Sequence, residues 1–398
     1  MKVKQISGML NDVFGEILGE GLIAENLSNI VSAGTIITSS STFGDNFENY
    51  AGKIVDKVGK TVFADRVYRA KDLGIWRDSW EYGSVLEKIR CDVGDYDDNC
   101  EWDLTKAGQS GLDYNEHIAN HIEEMFKFYP ANTQAKYFNE KVTFKTVISI
   151  TRKQLKSAFD SASAMARFIG MIENRIMSKM EIAKDQLQRR ALVNLIAHNI
   201  KKGAGSAKVV DLKAAFEAAG GATIANFNAA LQNPDFLRFT AKRMTMDRQF
   251  MTEPSKVYNN GVFYTHTPVE DSRLVVLSDL DTGLKFNLYG DTYNEEFVKL
   301  DNYKTLPFWQ GTSGTMGVDV RSGINVVDTD ADAVTQSGII GVLFDKDAVA
   351  ACNEDPEVRS QYNADGNFTN YFYTYDCSYY NDFDENSIVY VWGLVTEP

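Results

Sequence analysis

The stretch from Thr151 to Gly203 constrains this chain more than any other. Its spacing predicts a single long helix. Thr151 with Gln154 three residues on forms a capping-box pattern. No proline follows until Pro234, and Gly170 is the one interior glycine. Leu155, Phe159, Ala162, Ala166, Ile169, Ile176, Met180, Ala183, Leu187, Ala191 and Leu195 recur at helical spacing. Lys201 and Lys202 suit the negative end of the helix dipole, and Gly203 supplies a stop. At 1.5 Å per residue the rod is roughly 80 Å long, whereas an ordinary helix has about 11–12 residues. Such a rod needs a partner along its whole side, which suggests a skeleton more than a pocket.

Charge sharpens this. The chain has 398 residues and a formal charge of −14, which argues against a generic nucleic-acid binder. Yet Arg152 to Asn199 carries nine Lys and Arg against four acids. Two readings stay open for this basic helix. Either its cations meet acids elsewhere in the chain, or one face is turned toward something anionic. Mean hydropathy is −0.29, and no apolar run reaches the 18 or more residues of a membrane span. No signal-like block follows Met1 to Gln5. The expectation is a soluble protein made in a cytoplasm, with no membrane partner. Cys91, Cys100, Cys352 and Cys377 are too few and too spread for a disulfide framework or a C-x-x-C zinc site.

The flanking chain reads as α+β. Residues 1–62 hold short apolar runs, with short helices expected near Val13 to Gly19 and Phe47 to Val58. They read as an arm without its own core. Thr61 to Tyr68 and Val142 to Ile150 are strand-like. The excursion between them is too long for a plain loop, and Asp92 to Asp103 carries six acids with no Lys or Arg. A protruding hairpin is expected there, with a turn at Gly108 to Gly111 and a short helix at Glu116 to Phe128. After the rod come expected helices at Val209 to Ala219 and from Asn233-Pro234 to about Asp247. A further short helical segment is expected at Phe297 to Leu300. Strands are expected at Ser272 to Ser278, Ile339 to Phe344 and Ile388 to Trp392. Residues 310–338 read as loop.

Motifs for chemistry are incomplete. His117 and His121 share a helix face but lack the glutamate of H-E-x-x-H. Asp328, Asp330 and Asp332 begin like a calcium loop, but Ala333 and Ile339 stand where glycine and glutamate belong. Asp95 to Asn99 fails similarly, with Cys100 at the glycine position. Gly311-Thr312-Ser313-Gly314 lacks the lysine of a phosphate loop. The expectation is no catalytic, cofactor-binding or metal-binding residue, and no enzyme. Tyr371, Tyr373 and Tyr375 alternate and share one strand face. Neighbouring Asp376, Asp382, Asp384 and Glu385 make core packing the better reading than base stacking.

Three local patterns then carry a resemblance. Val147-Ile148-Ser149-Ile150-Thr151 leads into Leu155 to Phe159 and Phe168-Ile169. Ser272 to Leu280 is followed by a helical segment and Leu306-Pro307-Phe308. Ile339 to Phe344 runs on to Asp345-Lys346-Asp347-Ala348, then Asn370 to Tyr375 and a closing strand. In this order they resemble the major capsid proteins of tailed bacteriophages with the Hong Kong 97-like fold, in particular those of small short-tailed (podovirus) phages. The resemblance implies a division into parts. Residues 1–62 would be an N-terminal arm and 63–150 an extended loop with flanking strands. Residues 151–202 would be the spine helix of a peripheral domain, 203–338 an axial domain, and 339–398 strands returning to the peripheral domain. It implies self-assembly through hexameric and pentameric capsomers into an icosahedral head shell around double-stranded DNA. Scaffolding and portal proteins would be partners, and packaged DNA would make weak non-specific contact. The protein would sit in the virion after assembly in the host cytoplasm. An encapsulin-like nanocompartment shell around protein cargo is the alternative.

Overall fold

A computed structural model of the protein describes residues 3–19, 23–40, 50–54, 72–77, 86–91, 133–203, 206–261, 263–286, 302–311, 318–320, 322–327, 333–353 and 357–394. The expected features at 61–68, 92–103, 108–111, 116–128 and 297–300 lie outside these residues.

Two five-stranded sheets organise the fold. In the first, β15 (Phe368–Asn381) is central. One of its edges pairs with β4 (Lys141–Thr151). The other edge is shared: β14 (Glu357–Asn363) takes the first half, and β13 (Val349–Asn353) takes the second. β1 (Trp76–Arg77) adds to β13 in parallel. Strict alternation brings Ile148 and Ile150 of β4, and Tyr371, Tyr373 and Tyr375 of β15, into the core. The three tyrosines are core residues, as expected. The Tyr375 hydroxyl donates to the Met180 carbonyl at 3.2 Å.

The second sheet runs β5 (Val209–Asp211), β16 (Ser387–Val391), β12 (Ile339–Asp345), β6 (Ser272–Leu277) and β7 (Tyr303–Leu306). Its centre is buried on both faces. Val275, Leu277, Val342, Phe344, Val389 and Val391 join the core under the long helix. Leu274, Val276, Ile340, Leu343, Ile388 and Tyr390 join a second core. That explains why these strands read as continuous apolar runs. The segment expected as strands returning to the peripheral domain, 339–398, contributes to both sheets. β12 and β16 stand in the middle of the second sheet, whereas β13, β14 and β15 belong to the first.

The rod is two helices. α3 (Arg152–Ala158) ends at Phe159, and α4 (Ala162–Lys201) starts after Ser161. The capping box is present: Thr151 Oγ1 accepts from the Gln154 amide, and Gln154 Oε1 from the Thr151 amide. A second cap follows, with Ser161 Oγ accepting from the Ala164 amide at 3.1 Å. The expectation of one uninterrupted helix over 151–202 is corrected here. Phe159 has the right spacing for a continuous stripe, but it turns inward between the N-terminal helices. α4 ends as expected, with Gly203 at φ +77°.

The N-terminal residues correct a second expectation. α1 (Val3–Leu18) and α2 (Ile30–Ser39) lie on this chain's own core. Ile6, Leu10, Val13 and Phe14 make one buried face of α1. Phe14 meets Phe159 edge-on at 5.7 Å between centroids and stacks on Tyr50. Each such side chain contributes roughly 1.5–3 kcal/mol by leaving water.

Smaller corrections follow. Val209–Asp211 is an edge strand, parallel to β16, and Asp211 caps α5 (Leu212–Ala218). The Asn233-Pro234 helix is confirmed with α6 (Phe227–Ala230) before it, and runs as α7 (Pro234–Phe250). Residues 310–338 are not plain loop. They hold β8 (Gln310–Gly311) paired with β9 (Val318–Val320), and β10 (Ile324–Val327) paired with β11 (Ala333–Gln336). β2 (Leu86–Cys91) and β3 (Thr133–Phe138) form an antiparallel ribbon.

Candidate functional site

That ribbon is rooted in an ion cluster. Alternation puts Lys88 and Arg90 of β2 on one face. Lys136 of β3 stands directly opposite Lys88 in the register. Like charges so placed repel unless acids lie beneath them. Here the turn between β15 and β16 supplies Asp382, Asp384 and Glu385. Lys88 Nζ donates to Asp382 Oδ2 at 2.6 Å and also to Glu385. Lys136 Nζ donates to Asp382 Oδ1 at 2.9 Å and also to Asp384. Arg90 pairs with Glu385. The Asp382 side chain is fully covered.

The electrostatics follow from this geometry. Burial pushes the Asp382 carboxyl up, but the Lys88 and Lys136 ammoniums outweigh it and hold the group below the usual carboxylate range. Asp384 is likewise lowered, burial being overcome by Lys136 and the Asn260 amide. Burial pulls Lys88 down, and Asp382 only partly offsets this. Lys208 is buried beside the cluster and donates to the Phe383 carbonyl at 2.6 Å. Burial brings its ammonium down to about 8. An ion cluster this covered fixes geometry more than it adds stability.

The turn itself is held from three sides. Phe383 stacks on His198 of α4 at 4.0 Å between centroids. The Asp382 amide donates to the Ala348 carbonyl at 2.8 Å. Asn260 Nδ2 donates to Asp384 Oδ1 at 2.7 Å, and Thr265 Oγ1 to Asn386 Oδ1 at 2.8 Å. The ribbon's inner face is therefore tied, through one turn, to both sheets and the long helix. Its outer face is bare: Ile89 is 66% and Tyr137 65% exposed.

The chain matches the Phi29-like phage major capsid protein family over residues 9–391. It belongs to that family. No curated protein matches it by sequence. Among solved structures it is similar to a chain in the capsid of Staphylococcus phage Andhra, with 10% identity and a TM-score of 0.50, over 81% of this chain and 84% of that one. It is also similar to a chain in a structure of the head fiber and inner core protein gp22 of native bacteriophage P68. There identity is 10%, the TM-score 0.49, and coverage 79% of this chain and 83% of that one. The fold is the mixed helix-and-sheet, Hong Kong 97-like capsid fold. The protein is a capsid shell protein of the virion, which self-assembles into the shell.

In this capsid protein, the residues weighed for chemistry distribute as follows. His117, His121, Asp95 to Asn99, and Asp328, Asp330 and Asp332 lie outside the described residues. Among the described residues no group of three His, Cys, Asp or Glu stands together to hold a metal. The ion cluster escaped the sequence reading because Lys88 and Asp382 are 294 residues apart. The available signal was Lys88 and Arg90 at strand spacing, set against Asp382 and Asp384 at the same spacing. The basic helix divides in two. Arg189 pairs with Asp185 at 2.7 Å and reaches the Phe308 carbonyl. Lys184 is buried over the Trp76 ring. Arg167, Arg175, Lys179 and Arg190 are exposed.

Proposed function

We propose that this capsid protein builds the icosahedral head of a tailed phage by overlap between neighbouring copies, with the excursion after β2 as the overlapping element. The carrying observation is the ribbon of Leu86–Cys91 and Thr133–Phe138, clamped on its inner face and bare at Ile89 and Tyr137. A clamped root gives the excursion a direction, and a bare apolar outer face favours cover by another copy. Repeated around closed symmetry, such overlaps lock each subunit to several others.

In this reading residues 203–338 lie near the axes of hexameric and pentameric capsomers, and α4 is the spine of the peripheral region. The subunit is structural and performs no catalysis. Scaffolding and portal proteins guide assembly in the host cytoplasm. The shell encloses double-stranded DNA and touches it weakly, since strong phosphate contacts would immobilise the genome.

Deleting Gly94 to Gly111 tests the overlap. The subunit should stay soluble while negative-stain images show no closed shells. Normal shells from the deletion would refute the overlap. Nucleic acid released from wild-type particles is the expected content; protein cargo alone would refute the head reading.

A further inference from the structure

The long helix carries a row of exposed cations with no carboxylate partner among the described residues. Arg167, Arg175, Lys179 and Arg190 are exposed on α4. At 3.6 residues per turn they fall within an arc of about 140°, and at 1.5 Å per residue they span about 35 Å. Among the described residues no carboxylate forms an ion pair with any of them. The described acids of the helix, Glu181 and Asp185, are half-buried, and Asp185 serves Arg189. Some exposed cations elsewhere find acids, Lys4 with Glu25, Arg238 with Asp235, Lys285 with Asp281 and Arg359 with Glu357, and others, such as Lys242 and Lys304, stand singly; what sets α4 apart is four on one face. In a protein of net charge −14, an unpaired basic row is a local reversal of field.

The character of the row points to its partner. Among the described residues, Ser178 and Gln186 are the exposed ones between the cations, together with one apolar residue, Met171. Protein interfaces gather apolar and aromatic residues at their centre. Interfaces with nucleic acid are polar and positive. The span of about 35 Å also matches one turn of duplex, 10–10.5 base pairs.

We propose that this face of α4 is where the shell meets the phosphates of packaged duplex DNA. The proposal rests on the reading that the shell encloses DNA, and names the surface that touches it. Four phosphate contacts per subunit are few. They predict a log–log salt slope of about −3.6, so affinity falls roughly a hundredfold between 50 and 200 mM salt. That holds DNA against the wall without gripping it.

The test is fluorescence anisotropy of a 30-base-pair mixed-sequence duplex with the purified full chain, titrated in salt. The triple variant Arg175→Gln, Lys179→Gln, Arg190→Gln should bind at least tenfold more weakly at low salt, with the slope reduced by about 3. Glutamine keeps the helix propensity. The control Lys242→Gln, Lys304→Gln, at exposed positions elsewhere, should bind like wild type. A triple variant that binds like wild type overturns the assignment to α4 alone. Wild type that binds no duplex at low salt overturns the DNA contact itself. A triple variant that keeps duplex binding but loses particle assembly assigns the face to a protein neighbour and overturns the proposal.

Discussion

Phe159 closes directly over Gly34: a methyl group built on Gly34 would lie 2.5 Å from the Phe159 Cβ. The contact joins α2 to the break between α3 and α4. It involves a Cβ, which no rotamer change can move. Gly34→Ala should therefore lower stability by about 1–3 kcal/mol through overpacking. Thermal unfolding of the purified subunit reads this. Truncating Phe159 to Ala should not rescue Gly34→Ala, since the clashing Cβ remains.

Ser161 starts α4 with a side-chain bond to the Ala164 amide. Ser161→Ala should cost about 1 kcal/mol, whereas Ser161→Asp should be near neutral. Amide hydrogen exchange should show faster opening at 162–165 in the alanine variant and none near 195–201.

Asp382 accepts from both Lys88 and Lys136. Asp382→Asn leaves both ammoniums short of a charge. The loss should be below the roughly 3–5 kcal/mol of a fully buried broken pair, because Lys88 and Lys136 keep 19% and 26% exposure and their second acids. Urea unfolding measures it. Protease cleavage in the ribbon should rise more than cleavage in α4.

The same carboxyls set an acid limit. Asp382 and Asp384 are held below their ordinary range in the folded protein. Their contribution is full above the unfolded value near 4 and is lost as pH falls through the lower folded value. The ribbon should stay docked in mild acid and release below about pH 4. Asp382→Asn should flatten that limb of the stability–pH curve.

At the alkaline end, burial pushes Tyr380 up to about 12. The unfolded chain releases this proton near 10 while the folded chain keeps it. Stability is therefore full below pH 10 and declines toward 12. Tyr380→Phe should flatten the decline, as read by urea midpoints between pH 9 and about 11. Tyr390, raised well above 10 by burial and by Asp247, acts in the same direction.

Much of the frame was legible from local pattern. The Thr151 capping box, the apolar runs of β6, β12 and β16, and the alternating tyrosines of β15 all depend on nearest neighbours. What escaped depends on distant ones. Phe159 reads as one more helical position, and only Phe14 and Gly34 pull it out of line. α1 carries Gly8 and Gly15, which weaken its helical signal, and besides α2 and Tyr50 it packs on the distant Phe159. Hairpins hidden in 310–338 have strands of two to four residues, too short to show a period. For the root cluster, charge alternation marked the ribbon face but not the turn beneath it.

The central sheet gives its side chains alternately to two cores. Val342 and Phe344 point one way from β12, Ile340 and Leu343 the other. A slip of one residue in this strand would swap the contents of both cores at once. The sheet is therefore a stiff plate, with no soft joint between the layers on its two sides. A load on one face of a subunit is then carried by both cores together.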